Sequence, residues 1–245
     1  MNFIILLLLF VLLWGLLYPL TDFFIRFLAP NIIRKGNTPG KNICLTFDDG
    51  PDPQHTPVLL KILQTADIPA VFFLVGRKAE SHPELVAAIM AAGHEIGGHT
   101  YYHRHSYLMF FKKSRITITK GKLALEQITK NPLVYFRPPW GALNLFQYLF
   151  LKKLGLKIVL WTVNARDWNI RTGSGRIRDR LRAGTGAGSI IVLHDSGGDP
   201  GAPPNMLQAL PDIITDFKAN GYRFVSLHEI YNCQCGVPSQ GGAVQ

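Results

Sequence analysis

The chain has 245 residues, of which 47% are hydrophobic and 17% charged, a length and balance suited to one globular domain. Collagen, coiled coils, disordered chains and disulfide-rich miniproteins are excluded by this composition. Lys and Arg number 26 against 16 acidic residues, and this net charge of +10 favours polyanionic partners. Because no dense basic run or RNA-binding motif occurs, we expect no nucleic-acid partner and no obligate protein partner.

The three cysteines do not predict a disulfide framework. Cys44 lies inside an apolar run and is expected to be a small buried hydrophobic residue. Cys233 and Cys235 are too close in sequence to pair easily.

Residues 3–20 form an apolar run of 18 positions without a charge, close to the length that crosses a bilayer. A secretory signal peptide would begin with basic residues and end in a small-residue cleavage site, and neither is present. The sequence therefore predicts an uncleaved membrane anchor. We divide the chain into an anchor and juxtamembrane segment at 1–35, a catalytic domain at 36–235 and a flexible tail at 236–245.

The orientation of this anchor is left open by the charges that follow it. Arg26, Arg34 and Lys35 come after the run, and such a bias would keep the following domain in the cytoplasm. The stretch at 23–28 could instead lie along the headgroup plane with its arginine reaching outward. We expect the catalytic domain on the outer side of the membrane.

Strand and helix patterns alternate through the rest of the chain. The predicted strands are 43–47, 70–75, 95–98, 134–136, 157–161, 190–193 and 223–225, and the predicted helices are 56–66, 83–92, 112–130, 145–154, 176–181 and 206–218. Buried strands that alternate with helices indicate a parallel sheet covered by helices. We predict an α/β fold, a distorted (β/α) barrel of about seven strands preceded by a transmembrane helix.

Five of the predicted strands end in titratable residues. The carboxyl ends of parallel strands meet at one edge, where sites of such folds gather. We therefore expect one site. Its residues are, in chain order, Asp48 and Asp49, His99 and His103, Arg137, Asp167 with Trp168, and His194 with Asp195.

His99 and His103 have the i, i+4 spacing that places both imidazoles on one face of a helical turn. Two histidines and one carboxylate are typical of a catalytic divalent metal with an open position. His105 is not expected to be a ligand. The histidines expected to face solvent are His55, His82, His94 and His228.

The adjacent carboxylates of Asp48 and Asp49 repel each other, which favours one of them on the metal and the other in proton transfer. From the residues alone, either order is open. We expect Arg137 to hold one carboxylate by a bidentate pair, and Asp167 to orient His194 and raise its pKa. The alternative for both contacts is a structural salt bridge.

With these residues, the chain resembles the polysaccharide deacetylases of the NodB-homology type, carbohydrate esterase family 4. The resemblance spans about 41–227 and includes all five family motifs in order. They are Thr46-Phe47-Asp48-Asp49-Gly50-Pro51, His99-Thr100-Tyr101-Tyr102-His103, Phe136-Arg137-Pro138-Pro139-Trp140-Gly141, Asp167-Trp168 and Ile191-Val192-Leu193-His194-Asp195.

The resemblance implies a role for each matching residue. Asp48 is the general base, and Asp49, His99 and His103 hold a divalent metal, Zn²⁺ in first place and Co²⁺ as an alternative. Arg137 steadies the base, and His194 is the general acid with Asp167 behind it. Three residues bind substrate: Trp140 through a backbone N–H in the oxyanion hole, and Trp168 and Leu193 beside the acetyl pocket.

Two positions depart from the family pattern. Trp140 stands where the third motif usually has Tyr or Phe, a change that a backbone contact should tolerate. Asn164 stands where the fourth motif often begins with Asp. If this position supports its loop by hydrogen bonding, Asn can serve; if its charge matters, activity is lower.

The resemblance implies hydrolytic N-deacetylation of an N-acetylated amino sugar in peptidoglycan or a chitin-like oligomer. One alternative is a deacetylase or deformylase of a lipid-linked amino sugar at the membrane. The other is a non-catalytic, membrane-tethered sugar-binding module, which would bind no metal and release no acetate.

Overall fold

The computed structural model describes residues 5, 21–25, 29, 31–106, 109 and 111–232. In this part of the chain nine strands form one sheet, and every strand pair in it is parallel. The strands are β1 (Ile32–Ile33), β2 (Asn42–Asp48), β3 (Val71–Leu74), β4 (Glu95–Gly98), β5 (Tyr135–Phe136), β6 (Lys157–Val159), β7 (Val163–Asn164), β8 (Ile190–His194) and β9 (Arg223–Phe224).

The strand order is β1-β6-β5-β4-β3-β2-β8-β7, and β9 pairs with the first residues of β2. The predicted α/β class with a parallel sheet is confirmed. The sheet is a curled half-barrel rather than a closed barrel of about seven strands, because its order begins at β1 and ends at β7. Both of these strands have only two residues, and the sequence patterns did not predict either of them.

After residue 25 the described residues form eight α-helices, of which the first seven lie between strands and the last follows β9: α1 (Thr56–Ala66), α2 (Gly76–Ser81), α3 (Pro83–Ala91), α4 (Phe111–Thr129), α5 (Leu145–Lys153), α6 (Ser174–Gly184), α7 (Pro203–Ala219) and α8 (Leu227–Asn232). The six predicted helices are present. The prediction missed α2 and α8, which have six residues each and are too short to show a helical period.

The long central strand β2 shows how the sheet separates core from site. Ile43, Leu45 and Phe47 pack into the main core beneath the helices, whereas Cys44 packs on the other face with residues of β3, β5 and β8. Successive side chains of a strand alternate between faces. Asp48 therefore shares its face with Cys44, at the end of β2. Cys44 is fully buried, as predicted.

The folded domain begins before the predicted boundary at residue 36. β1 lies in the segment predicted to be juxtamembrane, yet it pairs with β6. Residues 21–25 are helical, and Ile25 is buried in a cluster with Ile118 and Leu151 of the neighbouring helices. The segment before residue 36 is thus partly built into the domain.

Among the residues that the structure describes, no helix has both the length and the hydropathy that crossing a bilayer requires. The predicted anchor at 3–20 lies outside the described residues except for Ile5. The tail at 236–245, together with Cys233 and Cys235, also lies outside them.

Candidate active site

The first carboxylates of the site lie where β2 ends. Asp48 is the last residue of β2 and is paired in register with His194 of β8. Asp49 has a left-handed backbone, with φ of 73°, so the chain turns sharply as soon as the strand ends. The turn buries both side chains. Adjacent residues can therefore present two carboxylates to one cavity.

Asp49, His99 and His103 offer one ligand atom each, and these atoms all lie within 4.8 Å of one another. The Nε2 atoms of His99 and His103 lie 3.3 Å and 2.8 Å from Asp49 Oδ1. His99 Nδ1 lies 2.7 Å from the carbonyl oxygen of Arg137. A hydrogen bond from Nδ1–H to that carbonyl leaves the Nε2 lone pair free for a metal.

The two histidines do not lie on a helical turn, so that part of the prediction is wrong. They lie in the loop after β4, where Thr100 and His103 have φ of 63° and 52°. The Thr100 hydroxyl accepts a hydrogen bond from the His103 N–H at 3.1 Å. This bond and the left-handed residues bring the two rings to 5.0 Å between centroids.

The donor set fits a cation. Asp49 Oδ1 is buried and accepts no hydrogen bond, although two imidazole nitrogens lie close to it. A buried carboxylate oxygen without a donor is costly unless a cation compensates it. Burial alone would raise the pKa of Asp49, but the imidazoles of His103 and His99 hold it well below its usual range. Two imidazoles and one carboxylate suit a divalent transition metal.

Arg137 is fully buried and holds Asp48 by one hydrogen bond, from Nη1 to Oδ1 at 2.7 Å. The predicted pair is therefore present but not bidentate. The same Nη1 donates to the Thr46 hydroxyl at 2.7 Å, while Nε and Nη2 donate to the carbonyls of Val159 and Leu160 at 3.3 Å. Because the guanidinium donates to four acceptors, two in β2 and two at the end of β6, it holds the Asp48 carboxylate in one position.

Asp167 holds His194 at two points. One carboxylate oxygen lies 3.0 Å from His194 Nδ1, and the other accepts the backbone N–H of His194 at 2.7 Å. Burial alone would lower the pKa of His194, but the carboxylates, Asp167 first and then Asp49 and Asp48, raise it to about 9. This favours the protonated imidazole, and the carboxylate of Asp167 orients the ring.

The three metal-ligand residues, Asp48 and His194 line one cavity of about 480 Å³, with Arg137 and Asp167 behind it. Its lining residues are Asp48, Asp49, His99, His103, Trp140, Trp161, Asn164, Trp168, Val192, His194, Gly197 and Gly198. Trp140 and Trp168 are exposed on its rim. Trp140 also contacts His103 and His105, with ring centroids 4.5 Å and 5.1 Å apart. His105 is not part of the metal-ligand group.

Leu193 does not line this cavity. It is fully buried in the core beneath the helices, whereas Val192 faces the cavity. The reason is the alternation of β8, in which Val192 and His194 share a face and Leu193 points to the other one. The apolar wall that was predicted at Leu193 is thus supplied by Val192.

The hydrogen-bonding explanation of Asn164 fits the structure. Its Oδ1 accepts the backbone N–H of Arg166 at 2.7 Å, where Arg166 has φ of 53°. A carboxylate could accept the same bond. Asn164 therefore supports the loop that leads to Asp167 without a charge.

Sequence reasoning missed one residue that supports the site, Lys78, and assigned no role to another, Asp195. Lys78 Nζ donates to the backbone carbonyl of Asp49 at 2.7 Å and to the Ser196 hydroxyl at 2.6 Å. Asp195 is fully buried and accepts a hydrogen bond from Thr56 at 2.5 Å, and burial raises the pKa of Asp195 to about 7. Asp195 was visible beside His194 in the fifth motif, whereas nothing in the sequence around Lys78 indicated its role.

His94 was expected to face solvent and is instead buried. Its ring packs 5.5 Å from that of Phe72, and neither ring nitrogen has a hydrogen-bond partner. Desolvation lowers the pKa of His94. It lies directly before β4, whereas the site gathers where the strands end.

Comparisons with known proteins place relatives of this chain among polysaccharide deacetylases. The family model for polysaccharide deacetylase matches residues 35–159, just over half of the chain. A peptidoglycan-N-acetylglucosamine deacetylase of Bacillus cereus is 36% identical over 192 residues, which cover 78% of this chain and 88% of that protein. A chitooligosaccharide deacetylase of Sinorhizobium fredii is 32% identical over 176 residues, which cover 71% of this chain and 79% of that protein.

A solved structure shows the same fold. It is a peptidoglycan N-acetylglucosamine deacetylase in complex with 4-naphthalen-1-yl-N-oxidanyl-benzamide, with a TM-score of 0.78 and 31% identity, covering 82% of this chain and 92% of that chain. The fold and site define a hydrolase of amide bonds in glycans. The chain belongs to the polysaccharide deacetylase family, carbohydrate esterase family 4, as its motifs predicted.

Proposed function

We propose that this protein removes acetyl groups from N-acetylglucosamine units of peptidoglycan, releasing acetate and leaving a free amine. The observation that carries the proposal is the joint presence in one cavity of a metal-ligand group, a buried carboxylate and a charged histidine. The names of the relatives support the glycan class, and chitin-like oligomers share the same amide.

Asp49, His99 and His103 would hold the divalent metal, Zn²⁺ in first place or Co²⁺. When bound there, such an ion supplies a Lewis acid for the amide carbonyl and for water. Asp48 is not one of the metal-ligand residues, so its carboxylate can accept a proton. Arg137 holds that carboxylate in place.

The chain's own groups divide the proton transfers. Asp48 takes a proton from the water that attacks the acetamide carbon. The backbone N–H of Trp140 donates to the developing oxyanion, and one such donor contributes on the order of 3 kcal/mol. His194 delivers its proton to the departing sugar nitrogen. The C–N bond then breaks to give acetate and the amine.

The rim selects the sugar. Trp140 and Trp168 present exposed rings on the cavity that holds the reacting groups, and Val192 and Trp161 add apolar surface beside the acetamide. Aromatic faces pack well against the apolar faces of pyranose rings.

We further propose that 3–20 anchors this domain at the outer side of the membrane, beside the cell wall.

The test is acetate release by the full chain from N-acetylglucosamine oligomers, peptidoglycan and a lipid-linked amino sugar, with and without chelator. Asp48→Asn should lose a factor of about 10²–10⁴ in kcat while binding metal normally. Asp49→Asn should weaken metal binding in a calorimetric titration.

Asp212→Asn is the matched control, since this carboxylate lies on the outer helix α7 in a surface pair with Arg178. Its activity should equal that of the natural chain. Full activity of Asp48→Asn would refute the assignment of the base. Metal binding without acetate release from any of the three substrates would favour a sugar-binding module. Release only from the lipid-linked sugar would replace peptidoglycan as the substrate.

A further inference from the structure

The positive charge of this protein is concentrated in one stretch of sequence. Residues 96–166 contain 12 Lys and Arg and one acidic residue, Glu126, a net charge of +11 compared with +10 for the whole chain. Glu126 is itself bound by Lys122 at 2.6 Å. Helices α4 and α5 both lie within this stretch and together carry seven basic residues and one acidic residue, a net charge of +6.

Helix α4 has two distinct faces. Its inner face is buried through residues such as Ile118 and Leu125. Its outer face carries large apolar side chains that are about half exposed, with basic residues between them. These outer residues line one continuous surface: Phe111, Lys112, Arg115, Ile116, Thr119, Lys120 and Leu123. An apolar stripe flanked by Lys and Arg is the pattern of a helix that lies at a membrane surface.

The same surface continues onto α5. The rings of Phe111 and Phe146 meet edge to face at 5.7 Å, and the Arg115 guanidinium lies 5.5 Å from the ring centroids of Phe111 and Phe150. Leu145, Phe146 and Leu149 are each about half exposed on one side of this helix. Single exposed apolar residues are common, whereas a contiguous set marks an interaction surface.

The start of the chain joins the domain beside this surface. Ile25 is buried with Ile118 and Leu151 of α4 and α5, and Asp22 accepts the backbone N–H of Leu143 at 2.8 Å. Phe23 and Phe24 are exposed. The apolar run at 3–20 directly precedes these residues in the sequence.

We propose that this apolar–basic face, formed by the outer residues of α4 and α5, docks on the surface of an anionic lipid bilayer. Its basic residues suit anionic headgroups, and its exposed Phe, Leu and Ile side chains suit the boundary of the acyl chains. A soluble polyanion would match the charges but would leave the apolar side chains in water. The proposal does not depend on the reaction, since no residue of the face lines the catalytic cavity.

The experiment places an environment-sensitive NBD dye on the full chain at Ile116→Cys, with Cys233 and Cys235 replaced by Ser. The matched control is Val58→Cys on α1, which is exposed to a similar extent, at 48% compared with 52%. The chain is reconstituted into vesicles of phosphatidylglycerol with phosphatidylcholine, or of phosphatidylcholine alone, each with and without lipid carrying a doxyl quencher.

We expect the dye at position 116 to be quenched by doxyl lipid in anionic vesicles, and the dye at 58 to be unaffected. Each basic side chain near an anionic surface contributes roughly fivefold to partitioning. Replacement of Lys112, Arg115 and Lys120 by Gln should therefore weaken docking roughly 100-fold. Acetate release from a soluble oligomer should be unchanged in this triple variant.

Absence of quenching at 116, or equal quenching at 58, would overturn the proposal. Quenching that is equal in both kinds of vesicle and survives the triple substitution would overturn the electrostatic part of it. Binding of soluble polyphosphate that requires the basic residues, without lipid quenching, would assign the face to a polymer instead.

Discussion

The loop that carries both histidine ligands rests on a glycine of α4, and this contact gives a sharp prediction. A Cβ added at Gly121 would lie 2.8 Å from the carbonyl carbon of Thr100, 2.9 Å from its oxygen and 3.0 Å from the backbone nitrogen of Tyr101. All three atoms are backbone, so no side chain can rotate away. The Gly121→Ala substitution must therefore displace either α4 or the loop between His99 and His103.

The size of the effect is a balance of two contributions. Ala in place of Gly inside a helix usually stabilises by about 1 kcal/mol. Forcing a methyl group into a packed contact costs about 1–3 kcal/mol, and a rigid backbone neighbour favours the upper end. We expect Gly121→Ala to lower the free energy of unfolding by about 1–2 kcal/mol. Because the loop orients two ligands, we also expect metal affinity to fall by about 10–100-fold.

Gly175 of α6 is the control, since a Cβ there would meet nothing within 4 Å. Gly175→Ala should keep or raise stability, by up to about 1 kcal/mol, with unchanged metal affinity. Both variants are measured by denaturant unfolding in the presence of chelator and by calorimetric titration with Zn²⁺. If Gly121→Ala proves as stable as Gly175→Ala and binds metal as tightly as the natural chain, the packing argument is refuted.

Three further outcomes follow from the buried charges. Arg137→Met should lower the unfolding free energy by about 3–5 kcal/mol because it leaves Asp48 buried without its partner. Adding Asp48→Asn should recover most of this loss. Denaturation data in which the two effects simply add would contradict the coupling. Asp167→Asn should lower the pKa of His194 from about 9, since the carboxylate that most strongly opposes the effect of burial is then gone. An NMR titration of the metal-free protein that still shows about 9 would contradict this. Burial lowers the pKa of His94 below 6.5, so the unfolded chain takes up the proton more readily and the folded state should lose stability as the pH drops below 6.5. His94→Leu should remove this dependence when denaturation is measured over a series of pH values. An unchanged slope of unfolding free energy against pH would count against the explanation.

The strands and the longer helices could be predicted because burial imposes a period on the sequence. All seven residues of β2 are buried, and its mostly apolar sequence up to Asp48 predicted a strand, while α1 was predicted at its observed bounds. The two-residue strands β1 and β7 have no period of their own. They form because β6 and β8 offer them unpaired edges, which depends on tertiary packing rather than on local sequence.

The sequence predicted which residues form the site better than it predicted how they are arranged. Spacing pointed to His99 and His103, the family resemblance added Asp49, and the three residues do lie together. The helical turn assumed for the histidines and the bidentate Arg137 pair were both wrong. Spacing fixes which residues can come near each other, but only the loop backbone fixes how they point. Lys78 illustrates the limit, because it reaches the site from a helix that the sequence did not predict.

The backbone conformations explain why this geometry could not be read from the sequence. Seven described residues other than glycine have a positive φ, and five of them surround the site: Asp49, Thr100, His103, Trp140 and Arg166. Each left-handed residue costs roughly 1–2 kcal/mol. Thr, Trp and Arg do not favour the left-handed conformation, so their presence in the sequence does not indicate such a turn. Glycine would relieve the strain, but at Asp49 or His103 it would remove a metal ligand and at Trp140 the exposed ring of the rim. Side-chain chemistry, rather than turn propensity, therefore determines the residue type at these three positions, and the packed structure around them offsets the strain.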